Sequence, residues 1–346
     1  MIVSARLLDD QMDDLIRSFS TLDLGGWQRP DIERVLAERG WSLVEDRGVS
    51  LGFSTGLPTG HGYASTDLDH SPALAVTLAS GLDHAEAVEV FDTARRQAED
   101  VLGPPPLRGG PGPWLRWRRP GATPRLRLAR ACSDEATASV HLELLATDRY
   151  EHHEVRTARH QGEHPYSWCR TVHTDETDGM LVPGDAVAED WRDVEDRLAR
   201  TLRALVRDVP VLGEDPLTLV IEERDDGSRM PSEIPTCFVK LADGVLRVEC
   251  PADPVPDMVL TLTELGWTAP SEAWITVLTT GDWSTEPEGS PNFSRDWPLT
   301  SEVAAGDAAR LVVGALRAVE ATLPALGYWV GRNGDNLGVR LPELGI

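Results

Sequence analysis

The sequence predicts an α+β fold, with antiparallel sheets and helices packed on one face, and three observations carry that reading. Trp191, Val194, Leu198, Leu202, Leu205 and Val209 fall at helical spacing and make one apolar stripe. Short alternating runs follow, and two of them, 236–241 and 245–250, meet across Asp243-Gly244. That dipeptide suits a type I′ hairpin turn, whose two central residues both need positive φ. A second stripe, Ala308, Leu311, Val312, Ala315, Leu316, Val319 and Leu323, closes the chain's second half. Strands gathered between such helices form a sheet with the helices to one side.

Composition bounds the function. The 346 residues are long enough for two domains, and 41% hydrophobic content with 11 Trp can fill their cores. The balance of 57 acidic against 33 basic residues gives a formal net charge of −24. Such a field repels phosphate backbones and argues against nucleic acid as a partner. It favours solubility first and basic partners second. Lys240 is the only lysine; every other basic residue is arginine. Cys132, Cys169, Cys237 and Cys250 have no C-x-x-C spacing, which argues against a ribbon-type zinc site or thioredoxin chemistry. The N-terminus lacks the apolar core of a signal peptide and no run reaches membrane-spanning length, so the expectation is a cytoplasmic protein with free thiols and no membrane contact.

The elements follow in order. Leu8, Met12, Leu15, Ile16 and Phe19 predict an amphipathic first helix, and a second over 31–39 stops at Gly40. Residues 49–53 and 73–79 read as strands. Asp83 and Glu86 form a capping-box pattern for a helix that Gly103 and the three prolines after it terminate. Strands are predicted at 113–118, 124–130 and 139–145, and a polar stretch at 160–182 marks the best boundary. The division expected is an N-terminal module 1–160, a linker 161–184 and a C-terminal module 185–346. In the second half a long helix starts near Asp185 and ends at Pro210. Strand 217–221, the hairpin, strand 274–279 and the last helix, 308–323, complete it.

One outline in the last third points further: Leu262, Leu265-Gly266-Trp267, Pro270, then Pro291-Asn292-Phe293-Ser294-Arg295-Asp296-Trp297-Pro298, the last helix, Pro324 and Tyr328. Over about residues 214–329 the chain resembles the TY-Chap family, actinobacterial domains similar to type III secretion chaperones and to YbjN-like peptide-binding proteins. The resemblance implies secretion-chaperone-like modules and a non-catalytic role in binding a protein or peptide client. The first half bears a looser likeness to actinobacterial modules of unknown function. Gly40-Trp41 and Gly266-Trp267, each after a short helix, hint at two related modules.

Several constellations compete with bland readings. Gly52-Phe53-Ser54-Thr55-Gly56 matches the G-x-S-x-G nucleophile elbow, with His61 nearby. Leu57-Pro58-Thr59-Gly60 cannot start the helix an elbow requires, so a Gly-rich loop is the better reading. His164, Cys169 and His173 are donors suited to zinc, but their spacing matches no common site, and a solvated stretch is favoured. His152 and His153 point about 100° apart on a helix and make a poor ligand pair. Arg116, Arg118, Arg125 and Arg127 alternate with Leu115, Trp117, Leu126 and Leu128, so one sheet face carries guanidinium groups. They read as a dock for an acidic peptide or, by preference, as partners of Glu143 and neighbouring acids. Trp283, Trp297 and Trp329 fall in or beside loops, where an indole can hold an apolar side chain, although packing within the fold is favoured for each.

The function expected is therefore peptide or protein binding without catalysis, metal or cofactor. Candidate contact residues are Arg116, Trp117, Arg118, Arg125, Arg127, Trp283, Phe293 and Trp297. An immunity-type inhibitor of a basic partner and a serine hydrolase using Ser54 are the alternatives, and a homodimer is compatible with all three.

Overall fold

The structure is a computed structural model. It describes residues 4–66, 72–131, 134–160, 164–172, 180–224, 236–251, 256–281, 284, 287–299, 302–332 and 335–346. The chain separates into two compact units, one of Met1–Pro165 with Cys169–Gly184, the other of Tyr166–Trp168 with Asp185–Ile346. Inside the stretch read as linker, Trp168 is fully buried and its indole N–H donates to Asp208 at 3.3 Å, within the second unit.

The first unit runs β1 (Ala5–Arg6), α1 (Asp9–Thr21), α2 (Arg29–Glu38), β2 (Ser42–Asp46), β3 (Ser50–Ser54), β4 (His61–Ser65), β5 (Ala73–Leu82), α3 (His84–Leu102), β6 (Leu107–Gly110), β7 (Trp114–Arg116), β8 (Ala122–Ala131), β9 (Asp134–Ala146) and α4 (Thr147–His160). A further strand, β10 (Trp168–Thr171), follows. Within the unit the hydrogen-bonded order is β6-β7-β8-β9-β5-β4-β3-β2, with β1 on the far end of β5, and every pairing is antiparallel. Leu74, Val76, Leu126, Leu128, Val140 and Leu142 form one buried face, against which α3 lays Ala87, Val90, Phe91, Ala94 and Ala98. Asp83 caps α3 by accepting from Glu86 N at 2.9 Å, as its position in the sequence predicts. Trp41 stacks on Phe53 with centroids 5.2 Å apart. Opposite Phe53, position 62 must be glycine, because a Cβ there would sit 2.2 Å from the Phe53 ring.

The second unit runs α5 (Trp191–Leu212), β11 (Leu217–Glu223), β12 (Thr236–Ala242), β13 (Val245–Cys250), α6 (Pro256–Leu265), α7 (Glu272–Thr280), β14 (Phe293–Pro298), α8 (Glu302–Ala318), a 3-10 turn (Leu323–Ala325), β15 (Leu326–Arg332), β16 (Asp335–Asn336) and β17 (Val339–Arg340). Its sheet is antiparallel in the order β14-β13-β12-β11-β15-β16. Asp243 and Gly244 hold φ of 52° and 75°, the left-handed pair a type I′ turn demands. Period-two alternation then sends Leu217, Leu219, Ile221, Cys237, Val239, Leu241, Leu246, Val248 and Cys250 to one buried face. The Cys237 thiol lies 4.0 Å from the Val312 carbonyl, so this is the face that α8 covers, with α5 packed against α8.

Several elements differ from their sequence readings, the last helix among them: read as 308–323, it spans Glu302–Ala318, and Leu323 lies in the 3-10 turn. Residues 274–279, β-branched and read as a strand, lie in helix α7: Ser271 Oγ caps it at Trp274 N, and Gly281 in the left-handed conformation ends it. Trp274 and Val277 are its buried residues, so three-residue spacing overrode β propensity. Helix α5 passes through Pro210 to Leu212 and stops at left-handed Gly213. The Pro291-Asn292-Phe293 landmark opens a strand, β14, rather than a loop. By contrast Gly40 and Gly266 end their helices alike, Trp41 N bonding Leu36 O at 2.8 Å and Trp267 N bonding Leu262 O at 3.1 Å.

Leu311, Val312 and Leu316 of α8 are buried, Leu316 to 1% exposure, while Val319 of the same stripe lies just past the helix end and is half-buried. Leu316→Ala should therefore destabilise the second unit by about 2–5 kcal/mol through lost burial and a residual cavity. Urea unfolding followed by circular dichroism reads this as a lower midpoint, and an unchanged midpoint would contradict the packing.

Candidate functional site

The sheet face opposite α8 in the second unit forms a groove of about 470 Å³, within the roughly 300–1,000 Å³ span of ligand clefts. Strand register builds its floor. Trp329 of β15 pairs with Val220 of β11, Val220 with Phe238 of β12, and Phe238 with Glu249 of β13. Aromatic, aliphatic, aromatic and acidic side chains thus stand in one row across four strands. Val220 is 1% exposed, while Phe238 and Trp329 are half-buried and present their rings to the groove. The indole needs Gly331 beside it, since a Cβ there would meet Trp329 Cζ3 at 2.5 Å.

One end of the row is polar. Glu249 is buried, and its Oε2 accepts from Lys240 Nζ at 2.7 Å and from Asn292 Nδ2 at 3.3 Å. The ammonium of Lys240 also lies 5.9 Å from the Phe238 ring centroid. The groove therefore combines an apolar floor with donors at one edge, an arrangement suited to an apolar side chain on a polar backbone. Edge strand β14 is a poorer landing place, because Arg247 clamps Asp296 at 2.7 and 2.6 Å and Pro298 lacks a donor.

The arginines named from the sequence converge in the first unit, where α4 returns over the face that carries them. Arg116 forms a two-pronged pair with Glu154 at 2.6 and 3.1 Å, and Arg118 forms one with Glu151 at 2.6 and 3.3 Å. Arg125 bonds Glu143 and donates to Tyr150 Oη at 2.6 Å, and Arg127 reaches Glu143 at 3.2 Å. The Arg116 guanidinium lies over Trp114, 4.2 Å from its centroid. Burial alone would push the Glu143 carboxyl up; Arg125 and Arg127 outweigh it and hold it below the usual glutamate value. Burial raises the Tyr150 phenol. The guanidinium groups of Arg116, Arg118 and Arg125 are committed to this network, and Arg127 remains the most exposed of the four.

Two aromatic candidates lie in cores. Trp117 is 1% exposed with its indole N–H donating to Gly103 O at 2.7 Å, and Phe293 is fully buried. Trp297 is half-buried on β14 and shares a face with Leu246 and Phe293, with Arg295 5.9 Å from its ring. Trp283 lies outside the described residues. Phe238, Glu249 and Asn292 escaped the sequence reading as site residues, since only the pairing register aligns them; Lys240 stood out there solely as the lone lysine.

The chemistry-bearing alternatives take these positions. Ser54 ends β3, and the chain turns through Gly56 and Gly60 straight into β4 at His61. A nucleophile elbow requires a helix there, and a strand occupies the place. Ser54 Oγ accepts from Gly56 N at 3.4 Å, and the neighbouring concavity of about 340 Å³ is lined by His61 and Tyr63 without Ser54. His164 bonds the Gly184 carbonyl at 3.0 Å, Cys169 is buried, and His173 is outside the described residues. Among the described residues no group of three His, Cys, Asp or Glu side chains is placed to hold a metal ion, and no helix is long and apolar enough to cross a membrane.

Residues 184–326 match the family model TY-Chap3, described as T3SS (YopN, CesT) and YbjN peptide-binding chaperone 3. Over these residues the C-terminal unit is similar to that family. Residues 10–133 match a family of unknown function, DUF6301. No curated protein and no solved structure matches the chain. The TY-Chap3 match supports a chaperone-like, peptide-binding role in general. The matched segment contains the groove residues Val220, Phe238, Lys240, Glu249 and Asn292, and it ends just before Trp329.

The buried network of the first unit makes stability depend on pH. Burial lowers the His141 imidazole from 6.5 to about 4; Glu143 opposes that shift, and Arg127 and Arg125 reinforce it. Between these values the unfolded chain binds a proton that the folded one refuses, so stability is full above about pH 6.5 and falls toward pH 4. Because His141 is only partly shielded from solvent, the loss should be about 2 kcal/mol. His141→Gln should remove that part of the slope in urea unfolding series across this range, and an unaltered slope would contradict the assignment.

Proposed function

We propose that the C-terminal unit holds an extended segment of a client protein in the groove on the face of its sheet opposite α8. Phe238 and Trp329 grip an apolar side chain of the segment, Val220 floors the site, and Lys240 and Asn292 meet its backbone carbonyls. The observation that carries this reading is the row Trp329–Val220–Phe238–Glu249, set across four strands and largely inside the segment that matches a peptide-binding chaperone family. Aromatic floors with a few placed donors are what such recognition uses, because indole and phenyl rings supply contact area at low entropic cost. The protein then acts without catalysis or cofactor, in the cytoplasm, on a protein or peptide client.

A second reading, inhibition of a basic partner protein in the manner of an immunity factor, draws on the net charge of −24. The two separate by salt and by site. A groove-held segment responds to loss of the aromatic floor, whereas field-driven capture of a basic protein weakens mainly with ionic strength.

Peptides selected from a displayed library by the full-length protein should carry a large apolar or aromatic residue. Phe238→Ala and Trp329→Ala should each weaken their binding about 10-fold or more by isothermal titration, with circular dichroism unchanged. Folded variants that bind as tightly as the parent would remove the groove from the mechanism.

A further inference from the structure

We propose that Cys237 and Cys250 are a redox modification site, forming a disulfide across β12 and β13 when the protein meets a peroxide. The register places them. Ala242 and Val245 flank the two-residue turn and are a hydrogen-bonded pair, and hydrogen-bonded and non-hydrogen-bonded pairs alternate outward from it. Phe238 and Glu249, the last pair of the ladder, are therefore a hydrogen-bonded pair, and one step further along the same two strands stand Cys237 and Cys250, where the alternation makes the next position a non-hydrogen-bonded one. At such positions facing Cα atoms stand about 4.5 Å apart, inside the roughly 4.4–6.8 Å span that disulfides bridge. Both side chains point to the face that α8 covers, both thiols are free, and Cys250 is near enough to perturb the Cys237 thiol.

The order of events follows from access. Cys250, last residue of β13, is 5% exposed against 1% for Cys237, and its sulfur lies 3.7 Å from the Pro251 carbonyl at the sheet's end. Its thiolate attacks one peroxide oxygen; the O–O bond breaks, giving a sulfenic acid and releasing hydroxide, which takes up the thiol proton as water. Cys237 sulfur then attacks the Cys250 sulfur, the S–O bond breaks, and the departing hydroxide leaves as water with the Cys237 proton. Two thiols are oxidised by two electrons and one peroxide is reduced to two waters. Cys250 beside it and then burial hold the Cys237 thiol above its ordinary range, so the second step should quicken as pH rises. This proposal stands apart from the client groove, which lies on the other face of the same strands.

The test treats the full-length protein with hydrogen peroxide, blocks remaining thiols after denaturation, and maps peptides by mass spectrometry. The expected result is a linked peptide pair carrying Cys237 and Cys250, lighter by two hydrogens and restored by dithiothreitol. The link should vanish in Cys250→Ser while the circular dichroism spectrum stays that of the parent. Both thiols remaining free, Cys250 passing to sulfinic acid without a link, or links running to Cys132 or Cys169 instead would each overturn the proposal.

Discussion

The two-residue turn Asp243-Gly244 fixes the register of β12 against β13, and with it the division of the whole C-terminal sheet into two faces. Because side chains alternate with period two, one choice of register sends Val239, Leu241, Leu246 and Val248 under α8. The same choice turns Phe238, Lys240 and Glu249 to the opposite side. A slip of one residue would bury Lys240 beneath a helix and expose Val239, so the hydrophobic pattern and the turn specify the same alignment. The neighbouring strands inherit it, and the aromatic row Trp329–Val220–Phe238 exists only because three strands share that phase.

The first unit solves a different problem, since its arginine-bearing strand face is roofed by α4 instead of left to water. Arg116, Arg125, Glu143 and Glu154 are all largely out of solvent, a placement tolerable only when each charge has a close opposite. The Tyr150 hydroxyl and the Trp114 and Tyr150 rings occupy the remaining space around the guanidinium groups. Such a network adds little net stability over an apolar core, but losing one member leaves an uncompensated charge. It makes the unit sensitive to acid and leaves little of Arg116, Arg118 or Arg125 for an acidic ligand.

The chemistry visible in the sequence is redirected by topology in both units. The G-x-S-x-G run around Ser54 is a hairpin between β3 and β4, and its glycines serve the turn. Phe293, a landmark of the TY-Chap outline, is a core residue at the start of β14, while its neighbour Asn292 reaches the groove. The landmark thus marks both packing and the candidate site, through adjacent residues whose side chains face opposite sides of the sheet.

Periodicity alone determined the helical stripes of α1, α3, α5 and α8, the hairpin at Asp243-Gly244 and the stops at Gly40, Gly103 and Gly266, because each depends on residues close in sequence. The aromatic and glycine landmarks likewise sufficed to relate the second half to TY-Chap proteins. Strands β4, β6, β14 and β15 were not legible, since their short or mixed runs become strands only through partners elsewhere in the chain. The same holds for α7, where capping and burial of Trp274 and Val277 outweighed a β-branched composition. Pairing register, a relation between distant segments, decided which arginines are buried, which aromatics face the groove and which cysteines meet. Tertiary structure supplied it, because a side chain's surroundings are set by the strand beside it and not by its neighbours in sequence.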